Sequence, residues 1–145
     1  MKRQSWMLAV ALAGLAVLAP PLTSQEGAGE FTVIEMTAKK YEFSPQEIRV
    51  KKGAKVRLKI RALDREHGLE FTVRPEGAPK DSPAGLLFII VKTGAADDKP
   101  KFKLPKDTET IIEFTAERPG AYPFKCAVFC GFGHRGMKGR LVVEE

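Results

Sequence analysis

Apolar and charged residues alternate in Ile48-Arg49-Val50-Lys51, in Val56-Arg57-Leu58-Lys59-Ile60 and in Ile112-Glu113-Phe114. A period of two puts apolar side chains on one face of an extended strand and charges on the other, the pattern of a strand half buried against a core. From Phe31 onward no window of roughly 11 residues carries a helical period, and the alternating segments are punctuated by Gly and Pro. The chain is therefore expected to be all-β. Strands are predicted near 31–37, 47–51, 55–62, 69–74, 86–92, 109–115, 121–126 and 138–143, about eight in all, arranged as a two-sheet Greek-key β-sandwich.

The stretch from Pro75 to Asp107 is the least regular and is expected to be mostly surface loop. Within it Leu86-Leu87-Phe88-Ile89-Ile90-Val91 is too apolar to stay exposed, and predicts one buried strand or an apolar cover near a site. Neither an internal repeat nor a low-complexity tract interrupts the pattern.

Ahead of this domain, Lys2 and Arg3 precede an apolar run from Trp6 to Leu18, followed by Pro20, Pro21 and small polar residues. That is the layout of a secretory signal. The run falls short of the roughly 20 residues needed to span a bilayer core, so residues 1–24 are expected to be a cleaved signal, with retention as a membrane tether the alternative. Residues 25–145 then form one domain, long enough to bury a core and destined for the periplasm or the exterior. The formal charge of +6 is spread among acids, with Lys39, Lys40, Lys51 and Lys52 set against Glu35, Glu42 and Glu47. A solvated surface explains this, and no nucleic-acid interface is expected.

The chemistry is concentrated in Cys126-Ala-Val-Phe-Cys130-Gly-Phe-Gly-His134-Arg-Gly-Met137. Thiolate and thioether are soft ligands that suit copper, and imidazole serves copper and zinc alike. Gly131, Gly133 and Gly136 lie between the donors, where a loop wrapping a metal needs small residues. The chain has 2 Cys and 2 His; the second histidine, His67, lies between two predicted strands and could reach the 126–137 loop only through tertiary folding. Three other readings stay open on these residues. Cys126 and Cys130 could form a disulfide in an oxidising compartment. Two Cys and two His could hold a structural zinc, which leaves Met137 without a role. A copper chaperone could carry Cu(I) on the two thiols.

At these residues the chain resembles the CuA domain family of the cupredoxin superfamily, the binuclear copper module of cytochrome c oxidase subunit II and nitrous oxide reductase. The loop pattern C-x-x-x-C-x-x-x-H-x-x-M is met by Cys126, Cys130, His134 and Met137. Weaker matches run through Tyr41-Glu-Phe-Ser-Pro45, Ile48-Arg-Val-Lys-Lys-Gly53, Asp64-Arg-Glu-His67 and Gly120-Ala-Tyr122. The resemblance implies two copper ions bridged by the Cys126 and Cys130 thiolates and capped by His67 and His134. Met137 and the backbone carbonyl of Val128 would be weak ligands, and Phe124, Phe129 and Phe132 an apolar shell. It further implies single-electron transfer with a redox partner protein, a cytochrome c or a respiratory complex, rather than catalysis by the chain itself. A mononuclear type 1 site using His67, Cys130, His134 and Met137 would hold one copper and leave Cys126 a bystander. Oxidase subunit II carries an acidic residue where this chain has Val128, and an exposed tryptophan, whereas the only Trp here is Trp6.

Overall fold

A computed structural model describes residues 30–89 and 99–145. The leader expected over residues 1–24, and the end of the strand expected to reach residue 92, lie outside the described residues. The described residues form ten strands: β1 (Thr32–Lys39), β2 (Glu42–Ser44), β3 (Glu47–Lys51), β4 (Lys55–Ala62), β5 (His67–Phe71), β6 (Leu86–Phe88), β7 (Lys101–Leu104), β8 (Glu109–Ala116), β9 (Gly120–Lys125) and β10 (Lys138–Glu144). A single 3₁₀ turn, His134–Gly136, is the only helical element among the described residues. One sheet runs β2-β1-β4-β8-β6 and the other β3-β10-β9-β5-β7. Both are mixed, with β1 parallel to β4 and β3 parallel to β10 and antiparallel pairing elsewhere. The all-β sandwich expected from the alternation is the architecture found.

The alternation explains which side chains meet between the sheets. In β4, Val56, Leu58, Ile60 and Ala62 are buried while Lys55 and Arg61 face water, and in β8 Ile112, Phe114 and Ala116 turn inward in the same way. Each large apolar side chain removed from water contributes about 1.5–3 kcal/mol of driving force. Phe71 lies at the centre, its ring 5.4 Å from Phe124, 5.6 Å from Phe88 and 5.9 Å from Phe114, in tilted contacts that suit the aromatic quadrupole.

Three differences from the sequence reading have physical causes. Strands β2 and β7 were not expected: each is only a few residues long, and β7 lies between Pro100 and Pro105, where composition suggests a loop. Strand β5 begins at His67 rather than at residue 69, because its pairing with β7 extends to His67 opposite Leu104. The apolar run from Leu86 is no buried strand along its described length. Leu86 is inside, but Leu87 and Ile89 are 46% and 51% exposed, since among the described residues β6 is a sheet edge pairing with β8 alone.

Candidate metal centre

The loop carrying the chemistry is the connection between β9 and β10, closed at its base where the Cys126 N–H donates to the Met137 carbonyl at 2.9 Å. The last cross-strand pair of that hairpin is Lys125 opposite Lys138, so Cys126 and Met137 leave the sheet side by side. His67 arrives from the neighbouring strand. The β5–β9 register pairs Glu70 with Lys125 and Phe71 with Phe124, and continued in the same antiparallel sense it brings His67 alongside the start of the loop. The alternation of β5 then turns His67, Leu69 and Phe71 to the interior.

Six expected positions converge. Cys126 Sγ lies 3.9 Å from His67 Nδ1, 3.9 Å from Cys130 Sγ and 3.1 Å from the Val128 carbonyl oxygen. Cys130 Sγ lies 3.8 Å from both His134 Nδ1 and Met137 Sδ. His67, Cys130 and Met137 are fully buried and Cys126 is 2% exposed. Both cysteines are free thiols, and the disulfide reading does not describe this geometry. The donor atoms of His67, Cys126 and Cys130 all fall within 4.8 Å of one another. Two donors on one first-row metal, with bonds of about 2.0 Å to nitrogen and 2.3 Å to sulfur, stand roughly 3.5–3.9 Å apart. The spacing found fits a metal among these residues without rearrangement, and the sulfur-rich donor set favours a soft one.

Burial first, and then the adjacent Cys126 sulfur, push the Cys130 thiol up to about 11, so without a cation beside it this thiol stays protonated at neutral pH. Asp64, in the turn before β5, completes His67. Its Oδ1 lies 2.7 Å from Nε2, and since the partner is a carboxylate the Nε2 carries the proton, leaving the Nδ1 lone pair directed toward the sulfurs. Partial burial alone would raise the Asp64 carboxyl, but hydrogen bonds from His67 and from the backbone N–H groups of Lys40 and Arg65 outweigh it and hold the group below its ordinary value. The neighbouring Arg65 donates from Nη1 to the Cys130 carbonyl at 2.8 Å. The sequence reading did not single out Asp64 or Arg65; the available signal was a carboxylate three residues before an isolated histidine.

The expected aromatic shell is only partly present. Phe124 is buried against Phe43 and Phe71, but Phe129 and Phe132 are 74% and 103% exposed. Cys130 turns inward, which sends its chain neighbour Phe129 outward, and Gly131, at φ +130, breaks the alternation before Phe132. Phe129 stands beside the His134 ring, 5.9 Å between centroids, and with Phe132, Gly131 and Arg135 lines an open concavity of about 510 Å³.

The profile of the cupredoxin-like domain family matches residues 7–143. This chain belongs to the cupredoxin-like domain family. Cytochrome c oxidase subunit 2 of Thermus thermophilus is 31% identical over 121 residues, covering 83% of this chain and 71% of that protein. A second Thermus thermophilus sequence of the same name is also 31% identical, and there the cupredoxin-like chain spans 57% of its relative's length. Among solved structures, auracyanin A, a blue copper protein of Chloroflexus aurantiacus, superposes with TM-score 0.55 at 19% identity over 79% of this chain and 100% of that one. The periplasmic domain of cytochrome oxidase subunit II of Bradyrhizobium japonicum gives 0.52 at 15% identity over 78% and 83%. At such identities these two likenesses establish the cupredoxin fold.

Proposed function

We propose that this chain is an extracytoplasmic copper protein that passes single electrons through a binuclear, CuA-like centre held by Cys126, Cys130, His67, His134, Met137 and the Val128 carbonyl. The observation that carries this reading is the position of Cys126. Its sulfur is 3.9 Å from both His67 Nδ1 and Cys130 Sγ, close enough to share a metal with each, which supports a bridging role. A mononuclear site on Cys130 alone would give this buried thiol no ligand role. The subunit 2 relatives support the same reading, as does the leader pattern in residues 1–24, which favours export. The missing acidic side chain at Val128 favours a redox partner reached by docking over permanent attachment to an oxidase core.

Bound copper supplies a reversible one-electron change. The residues supply the rest. The Cys130 thiol is pushed up to about 11, so it would have to give up its proton to serve a cation, and binding would release that proton. Asp64 fixes the ring and tautomer of His67, and Arg65 fixes the Cys130 carbonyl. Buried Phe43, Phe71 and Phe124 back the site with an apolar wall that resists movement. Exposed Phe129, against the His134 ring, offers the short path by which an electron leaves or enters.

The test is metal analysis with electron paramagnetic resonance of the copper-loaded protein and of Cys126→Ser. About two coppers per chain and a seven-line hyperfine pattern, both lost in Cys126→Ser, are expected. One copper per chain with a four-line pattern unchanged by that substitution would refute the binuclear reading and leave a mononuclear cupredoxin.

A further inference from the structure

The sulfur donors and His67 are closed off from solvent, whereas His134 is half-buried and lines the open concavity. His67, Cys130 and Met137 have no exposed surface and Cys126 has 2%, so nothing reaches the sulfurs unless a covering segment moves. Cys130 leads directly into residues 131–134, all of them half-buried or exposed, at the solvent side of the site. The backbone hydrogen bonds this loop makes are internal, His134 N–H to the Gly131 carbonyl, Gly136 N–H to the Gly133 carbonyl and Met137 N–H to the His134 carbonyl, and Arg65 ties its first residue, at the Cys130 carbonyl. What lies against its middle is the ring of Tyr41, from the turn between β1 and β2. A Cβ built on Gly131 would stand 2.5 Å from Tyr41 Oη, and one built on Gly133 would overlap the ring itself.

The two glycines answer to different demands. Gly131 has φ +130, a conformation L side chains rarely adopt. Gly133 has φ −83 and ψ 0, which other residues adopt, so only the closeness of the Tyr41 ring excludes a side chain there. The turn that delivers this ring is anchored at the site as well. Lys40 N–H donates to Asp64 Oδ2 at 3.0 Å, while Asp64 Oδ1 binds His67. One carboxylate thus fixes both a buried imidazole and the segment pressed on the loop.

We propose that Tyr41 is the seal of this site: its ring, pinned through Lys40 and Asp64, holds the 131–133 loop down over Cys130, and metal or any thiol reagent enters when the ring and loop separate. The inference rests on the copper reading only for what normally enters, and it can be tested on metal-free protein.

The measurement is the reaction of the reduced, metal-free protein with a disulfide thiol reagent, with hydrogen exchange at Leu58 and Ile60 in β4 reporting global opening. Tyr41→Gly should react at least about tenfold faster with exchange at β4 unchanged, and Tyr41→Phe, which keeps the ring, should stay within about twofold of the parent. Gly133→Ala should also speed the reaction in the parent but add nothing in the Tyr41→Gly background, where the space is free. An unchanged thiol rate in Tyr41→Gly would overturn the proposal. So would acceleration matched by equally faster exchange at β4, or an effect of Gly133→Ala that is the same in both backgrounds. None of these outcomes depends on whether copper binds or on how many ions do.

Discussion

Replacing Asp64 by alanine tests how far a residue outside the donor set governs the site. The carboxylate accepts from His67 Nε2 at 2.7 Å, from Arg65 N–H at 2.9 Å and from Lys40 N–H at 3.0 Å. The two backbone donors lie in exposed turns and find water once the carboxylate is gone, so their loss costs little. The imidazole is different: His67 is fully buried, and an unpaired polar group in that position costs about 1–3 kcal/mol. The Asp64 side chain is itself 31% exposed, so water can follow into the vacated space, which places the expected loss of apo-protein stability at about 1–2 kcal/mol. The effect on metal binding is separate, because without its partner the ring can rotate and carry its proton on Nδ1, the atom that faces the sulfurs. Loss of such an outer partner typically lowers metal affinity about 10- to 100-fold. Urea unfolding of the metal-free protein measures the first quantity, and competition against a Cu(I) chelator at fixed pH the second. Asp64→Asn, which keeps an acceptor for Nε2, should fall between parent and alanine variant in both. Unchanged stability together with copper affinity within about threefold of the parent would refute the argument that Asp64 fixes His67.

Three further outcomes follow from the fold. Phe71→Ala removes a fully buried ring packed on three other phenylalanines and should cost about 3–5 kcal/mol in urea unfolding. Phe132→Ser, at a side chain wholly in water, should change stability by no more than about 0.5 kcal/mol, and a larger loss would show that this ring packs in solution. Glu47, hydrogen-bonded by Arg140 and Arg49, and Glu144, by Lys51 and Arg49, are both held below the ordinary value of 4.5. Their contribution is therefore present above the unfolded-state value and lost as pH falls through the lowered folded one. The urea midpoint should stay level near neutrality and decline below about pH 4.5, and Arg49→Met should make the decline shallower, by a small amount because these pairs are exposed.

Local sequence carried most of the fold. Strands β3, β4 and β8 follow from alternation alone, since a residue's side of the sheet depends only on its place in a period of two. The donor loop was legible for a related reason: Cys126, Cys130, His134 and Met137 are close in the chain, and a short connection between paired strands brings them together almost wherever the rest of the molecule goes. Tertiary structure decided everything that crosses the sheet. His67 becomes a neighbour of Cys126 because β5 pairs with β9 in one register, and a shift by a single residue would turn its ring to the other face of the strand, away from the sulfurs. Strands β2 and β7 exist because neighbours supply their hydrogen bonds, not because their own residues demand extension. The placement of Asp64 behind His67, of Arg65 on the Cys130 carbonyl and of Tyr41 on Gly133 joins three separate turns at one end of the sandwich. No periodicity within any of those turns records the others, so their meeting is a property of the closed sheets alone.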